Sequence, residues 1–416
     1  MSINKVVITL LYLAFVYGGC KAQNFNPGQY KVLETDRTDG RYISTRGVVQ
    51  YLMENTPPKL AFRPDFSKRQ WSEWQQQVRQ EMNRLMKHPS LQGLPGAHKV
   101  SSVQRAGYRA EKWEVYPLPG CVTSFIVLIP DDLVQGKPVP AVLCIPGSGG
   151  SKESLAGEPD IADKFRQRVF PEHNAMALHY VRQGWVAVAV DNPCTGEACD
   201  LERVAPMDYD YENSSRFLLE MGWSYLGYAS YLDRQVLNWM KEQSFIRKDR
   251  IVISGFSLGT EPLMVLGVLE PSVYAFVYND FLCRTRERAL VMSVPDKKGH
   301  RSYPNSIRHL VPGFLCSFDF PDLVAALAPR PLICTEGGLD RDFCIVSRSY
   351  ELAGKRDNFI FYHYPGFASP AMRHDVKELP KGLDAATYYS LVNVEPGKHY
   401  FKEELVIPWL KRLLDK

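Results

Sequence analysis

Residues 251–260 read Ile-Val-Ile-Ser-Gly-Phe-Ser-Leu-Gly-Thr, an apolar run that ends in Gly-x-Ser-x-Gly. The two glycines permit a tight strand-to-helix turn that would hold Ser257 in a strained, exposed position. The amide of Leu258 would then face the same space, at a helix N-terminus where negative charge is welcome. A serine hydroxyl is a weak nucleophile. Chemistry at Ser257 therefore needs a base, and the base needs a carboxylate to orient it. The bland alternative is a tight turn carrying a surface serine.

For a nucleophile placed this way the chain order is serine, acid, histidine. The apolar run Pro331–Thr335 leads into Glu336-Gly337-Gly338-Leu339-Asp340-Arg341-Asp342. A carboxylate just past the carboxyl end of a strand shares its sheet edge with Ser257, and Asp340 is the acid expected here. Glu336 and Asp342 compete with it; each of the three can also be a loop charge, and Asp342 a helix cap. Three histidines follow. His363 lies within a strand-like run and reads as a packed or edge residue, and His374 falls in a polar stretch. His399, in Pro396-Gly397-Lys398-His399-Tyr400-Phe401 and directly before a terminal helix, is the expected base.

An oxyanion needs donors from two places. Leu258 supplies one amide, and Ser148, in Pro146-Gly147-Ser148-Gly149-Gly150-Ser151 after the strand ending at Ile145, is the candidate for the other. That loop is not a nucleotide cradle. The dinucleotide fingerprint needs glycine where Lys152 stands, and the phosphate-loop pattern is unmatched. Neither Cys-x-x-Cys nor His-Glu-x-x-His occurs, so no metal and no cofactor are expected. Glu261, four residues after Ser257, is expected to serve the dipole of the helix that starts there.

These residues must be carried by a scaffold, and the patterning describes one. Trp113–Tyr116 and Val122–Ile129 read as an antiparallel hairpin. Strand-like runs at Ala141–Ile145, Trp185–Val190, Ile251–Ser254, Tyr274–Tyr278, Pro331–Thr335 and Phe359–Tyr364 then alternate with helix-like segments, among them Asn174–Arg182, Ser215–Glu242, Arg284–Met292 and Asp342–Ala353. Alternation of this kind predicts an α/β fold, a mostly parallel sheet with helices on both faces. Residues 366–398 read as an insertion near the mouth of the site. Before the sheet, residues 23–107 read as a helical extension containing the amphipathic segment Arg69–Lys87, and 108–416 as the catalytic domain. Tyr209, Tyr211, Trp223, Tyr225, Phe318 and Phe320 are candidates for a sugar-binding mouth, although aromatics are more often core.

Lys5, the apolar run Val6–Tyr17 and the small residues up to Ala22 form a secretory signal over residues 1–22. Export as a soluble periplasmic or extracellular protein is expected, with lipid attachment at Cys20 as the alternative. No later stretch reaches the ~18 apolar residues of a membrane span. Of nine cysteines, eight remain beyond the signal. Cys194 and Cys199 share a loop and could bridge, while Cys144 and Cys334 sit in strand-like runs as buried thiols. Fifty basic residues against forty-six acidic ones leave no excess to attract nucleic acid.

With the elbow Gly255–Pro262 and the stretch Val392–Phe401 in view, the chain resembles the α/β-hydrolase superfamily. More narrowly it resembles secreted bacterial proteins of abhydrolase family 7, described as acetyl xylan esterases or as dienelactone-hydrolase-like. The elbow departs from the G-G-S-Q-G-G of cephalosporin-deacetylase-type acetyl xylan esterases at Phe256, Leu258 and Thr260. The resemblance implies a sheet of about eight strands, with Ser257 as nucleophile, His399 as base and Asp340 as acid. It also implies an exported serine esterase that removes a short acyl group, acetyl above all, from a carbohydrate such as acetylated xylan. A small-peptide peptidase of the same fold and a catalytically silent glycan- or protein-binding module are the alternatives. The partner implied is a small-molecule or oligosaccharide ester.

Overall fold

The structure, a computed structural model, describes residue 39 and residues 41–87, 89, 93–133, 137–158, 170–199, 211–292 and 306–415. The signal-like segment 1–22, with Cys20, and Tyr209 lie outside the described residues. The chain divides into two compact units, Met1–Pro57 and Pro58–Lys416. In the first, a helix over Thr45–Asn55 is capped by Ser44, whose hydroxyl accepts from the Gly47 amide.

The second unit is built on nine strands: β1 (Leu94–Arg105), β2 (Tyr108–Tyr116), β3 (Thr123–Pro130), β4 (Val139–Ile145), β5 (Val186–Val190), β6 (Ile246–Phe256), β7 (Ala275–Asn279), β8 (Leu332–Cys334) and β9 (Phe359–Phe361). They form one sheet in the order β1-β2-β3-β5-β4-β6-β7-β8-β9. Pairing is antiparallel from β1 to β5 and parallel from β5 to β9. The expected hairpin is β2–β3.

β1 is the strand that patterning misses. Nearly all of its residues are exposed, so no apolar alternation marks it, and it falls within the segment expected to be a helical extension. That segment's helix, Lys68–Met86, is not peripheral either. Its Trp71, Trp74, Val78, Met82, Leu85 and Met86 are buried in the main core. The division expected at residue 107 therefore lies instead at Pro57/Pro58, and both β1 and this helix belong to the larger unit.

Alternate residues of the central strands feed two cores, as period-two geometry requires. Ala141, Leu143 and Ile145 of β4 join Ile251 and Ile253 of β6 on one face, under the helices Lys68–Met86, Tyr225–Glu242 and Thr260–Leu269. Val142, Cys144 and Val252 join Met176, Tyr180, Trp409 and Leu410 on the other. Cys144 and Cys334 are buried, as expected. The expected helix 215–242 is two helices, Tyr211–Glu220 and Tyr225–Glu242, with a turn at Gly222 between them. Residues 366–398 contribute Leu379, Leu383, Tyr388, Val392 and Val394 to a third apolar cluster with Val291, Leu339 and Tyr364. Among the described residues, no helix is long and apolar enough to cross a membrane.

Register sets the site. Ile145 pairs with Gly255, Phe256 with Asn279, and Tyr278 with Cys334. The carboxyl ends of β4, β6, β7 and β8 therefore lie side by side. The residues just beyond them, Pro146–Ser151, Ser257, Asp280 and Glu336, share one edge of the sheet.

Candidate active site

Ser257 has φ +51, in the left-handed region that a side-chain-bearing residue seldom adopts and that is held only where surrounding structure imposes it. The imposition comes from the flanking glycines. A Cβ on Gly255 would lie 2.4 Å from the Gly259 carbonyl oxygen, and one on Gly259 would lie 2.3 Å from that of Ile145. The turn can therefore close this tightly only with glycine at both places. Thr260 Oγ1 donates to the Ser257 carbonyl at 2.7 Å, and the helix Thr260–Leu269 runs back over the sheet.

The serine opens into a cavity of about 270 Å³ whose wall also includes Ser148, Leu258, Asp280 and His399. The Gly147–Ser151 loop is tied down through its carbonyls. Asn192 Nδ2 donates to Pro146 O at 2.9 Å and Gly147 O at 3.1 Å, while Arg308 Nη1 donates to Ser148 O at 3.1 Å. With those oxygens held, the Ser148 and Gly149 amides are turned to the opposite side of their peptide planes, because N–H and C=O of a trans peptide point apart.

His399 sits on the cavity wall, and the Phe256 ring stacks on it with 4.7 Å between centres. Its Nδ1 is 2.5 Å from Glu336 Oε2. A carboxylate can only accept, so Nδ1 carries the proton and Nε2 is left as the basic nitrogen. Among the described residues Ser257 Oγ makes no hydrogen bond to this imidazole. In resting sites that contact is commonly long and tightens with substrate bound. Glu336 is fully buried, and its Oε1 accepts from Lys402 Nζ at 2.8 Å and the Tyr400 amide at 3.2 Å. Burial works against the charge of Glu336, but His399 and Lys402 outweigh it and hold the carboxyl below its ordinary range. Burial likewise opposes a charged His399, yet the Glu336 hydrogen bond and the charges of Glu336 and Asp280 raise its pKa above 6.5. Burial pushes Asp280 up to about 6 even with His399 nearby.

The carboxylate that His399 meets is thus that of Glu336 and not that of Asp340. The Asp340 carboxylate accepts from Arg373 Nη1 at 2.9 Å and pairs with His363 Nε2 at 2.8 Å, away from His399. The physical reason is the path after β8. Gly338 has φ +136, and a Cβ there would lie 2.4 Å from the Leu282 carbonyl oxygen. The chain turns against Leu282 at this point, leaving Glu336 at the sheet edge and Asp340 as the first residue of the helix Asp340–Leu352. Asp342 is buried against Arg284 at 2.7 Å. His374 is exposed; its backbone is hydrogen-bonded to Asn393 and its ring centre lies 6.4 Å from that of Phe367.

Other expectations land differently. Glu261 does lie in the first turn of its helix, but its carboxylate is also hydrogen-bonded to His309 Nδ1, a residue the sequence did not single out. Phe320 lines the cavity, whereas Phe318 is core and Tyr225 is buried with its hydroxyl donating to the Pro193 carbonyl. The cavity aromatics that patterning missed are Phe281, Tyr364 and Tyr389. In the 194–199 loop, Cys199 Sγ donates to the Cys194 carbonyl at 3.7 Å.

Asp280, Glu336 and His399 place one donor atom each within 4.8 Å of one another, a spacing that a metal ion could use. Their chemistry fits an ion poorly. Both Glu336 oxygens are already engaged, and the Lys402 ammonium would repel a cation. The arrangement suits a hydrogen-bonded acid–imidazole pair beside a strained serine, able to take a proton from a hydroxyl and return it to a leaving group.

A family model described as the abhydrolase family matches residues 24–412. The crystal structure of a proposed acetyl xylan esterase from Bacteroides fragilis is 57% identical, with a TM-score of 0.87, covering 94% of this chain and 100% of its own. A methylesterase is 18% identical with a TM-score of 0.52, over 79% of this chain and 66% of its own. A promiscuous CE15 esterase from a marine bacterial metagenome is 12% identical with a TM-score of 0.50, over 86% and 95%. The last two bear on the fold alone. No match was found among curated protein sequences.

Proposed function

The chain belongs to the abhydrolase family, and on that premise we propose that it is an exported serine esterase that removes short acyl groups, acetyl first among them, from carbohydrate. Ser257 attacks the ester carbonyl while His399 Nε2 takes its proton. Glu336 holds the imidazole in the required tautomer and stabilises its charged form. The amides of Leu258 and Ser148 stabilise the oxyanion, each such donor being worth roughly 10²–10³ in rate. His399 then protonates the departing alcohol, and a water activated by the same nitrogen releases the acid from Ser257.

One observation carries this reading: His399, bonded at 2.5 Å to the buried Glu336, shares a cavity with a serine in the left-handed region. The acetyl xylan esterase description of the 57% identical relative supports the carbohydrate ester, and the charged start, short apolar core and small-residue exit of residues 1–22 support export. The test is the initial rate of p-nitrophenyl acetate hydrolysis by the purified protein and by Ser257→Ala. Activity that falls by at least ~10³-fold in the variant is expected. A folded wild-type protein without activity would favour a silent module, and equal rates in both proteins would acquit Ser257.

A further inference from the structure

The cavity beside Ser257 has two acids besides the catalytic pair, Glu261 and Asp280, and two arginines, Arg288 and Arg308. The acids are matched. Glu261 is bonded to His309, and Asp280 lies within 4.8 Å of His399. The arginines are not. Among the described residues no carboxylate oxygen comes within 4.0 Å of either guanidinium.

Arg288, partly buried, donates once, from Nη2 to the Tyr389 hydroxyl at 3.2 Å, and its Nε is buried without a partner. The guanidinium carbon lies 5.7 Å from the centre of the Phe281 ring and 6.0 Å from that of Tyr389. Arg308, almost wholly buried, donates to neutral oxygens, Ser148 O and Ser306 Oγ, and lies 4.2 Å over the Tyr211 ring. Removing a guanidinium from water is costly unless a counter-charge meets it. Its planar fork is best satisfied by a carboxylate, which can accept two parallel hydrogen bonds. Among the described residues, two such groups stand in the wall of one cavity with no carboxylate oxygen within 4.0 Å of either and with Asp280 acting on Arg288 only from farther off, a site prepared for a charge that arrives with the ligand.

We propose that Arg288 and Arg308 form an anion subsite, and that the ester hydrolysed at Ser257 carries a free carboxylate. This rests on the esterase reading above. For a carbohydrate ester the chemical class is an acylated sugar acid. The aromatic faces around Arg288 would pack the sugar ring while the guanidinium takes its carboxylate.

The test compares esters that differ only in a carboxylate. p-Nitrophenyl butyrate against p-nitrophenyl hydrogen succinate places the charge on the acyl side. p-Nitrophenyl acetate against the same ester bearing a ring carboxylate places it on the leaving-group side. In one of the pairs the charged ester is expected to exceed the neutral one in kcat/KM by about tenfold or more, through KM. High salt should shrink that ratio. Arg288→Met should bring it to about one, with Arg288→Lys between the two. Equal kcat/KM within both pairs, or a ratio unmoved by both Arg288→Met and Arg308→Met, overturns the subsite. Absence of hydrolysis of all four esters would instead strike the esterase reading. The subsite is then judged by calorimetric titration of Ser257→Ala protein with methyl glucuronide and methyl glucoside. Acid bound about tenfold more tightly, with the difference lost on adding Arg288→Met, upholds it; equal binding overturns it.

Discussion

Two histidine–carboxylate pairs stand beyond the carboxyl ends of the last strands, His399 with Glu336 and His363 with Asp340, at 2.5 and 2.8 Å. They have the same chemical make-up and opposite settings. Glu336 is fully buried and His399 a third exposed; in the second pair it is the histidine that is buried, at 3%, and the carboxylate that is exposed, at 42%. Burial and Lys402 work against a charged His399, but the Glu336 hydrogen bond and the charges of Glu336 and Asp280 outweigh them, and its pKa rises. Burial and Arg373 together outweigh Asp340 at His363, and its pKa falls. A carboxylate beside an imidazole is therefore not enough to make a base. What sets the His399 pair apart is surplus negative charge around the imidazole, with the ring's second nitrogen left to a cavity. His363 has its Nε2 spent on Asp340 and a buried Nδ1 without a partner.

The contrast can be broken most forcefully at the acids themselves. Glu336→Gln keeps the shape but removes the charge and the tautomer control, and kcat on p-nitrophenyl acetate is expected to fall by about 10³–10⁴-fold. Should Asp340→Asn prove the more damaging change, the assignment of the two pairs is reversed. A smaller effect sharpens the electrostatic side. Activity needs neutral His399, so the rate falls as pH drops through its raised pKa, placing the acid limb above pH 6.5. Asp280→Asn removes one of the two supporting charges, lowers that pKa and moves the limb to lower pH, with kcat down by about tenfold at most. A limb that stays put would show that Asp280 does not act on His399. Least affected is Asp340→Asn. The Asp340 carboxylate is exposed and asparagine keeps an oxygen for His363 and Arg373, so the change should cost no more than about 1 kcal/mol of stability by denaturant titration and leave kcat/KM within about threefold.

The order of these sites along the chain explains what was legible in it. The elbow announced itself because its signals are local: three apolar residues, then glycines that close contacts make obligatory. His399 was legible from its place before the terminal helix. The carboxylate that meets it was not, since Glu336, Asp340 and Asp342 lie within seven residues and only the backbone path separates them. That path depends on the bridge of Gly338 to Leu282, a residue more than fifty positions earlier. The one available signal was that Glu336 alone follows the strand directly, before the two glycines. β1 escaped notice for the opposite reason. It is exposed and polar, and it is a strand because β2 offers it a hydrogen-bonding partner. Arg288 and His309 could not be found at all, because nothing near them in sequence says they face Ser257.

The helix Lys68–Met86 has a consequence in time as well as in space. Trp71 Nε1 donates to Ser349 Oγ at 2.7 Å, Gln75 to the Ala326 and Ala328 carbonyls, and Arg79 to that of Val268. Each partner is synthesised roughly 190 to 280 residues later. A chain made from its N-terminus must carry the apolar stripe of this helix uncovered until the second half of the sheet exists. Contacts of such long range slow folding and prolong the exposure of sticky surface. The helix is thus a clasp that fastens last although it is made early. A chain cut short before Ser349 would leave the clasp open, which makes truncated products of this protein the form most prone to aggregate or to engage a chaperone.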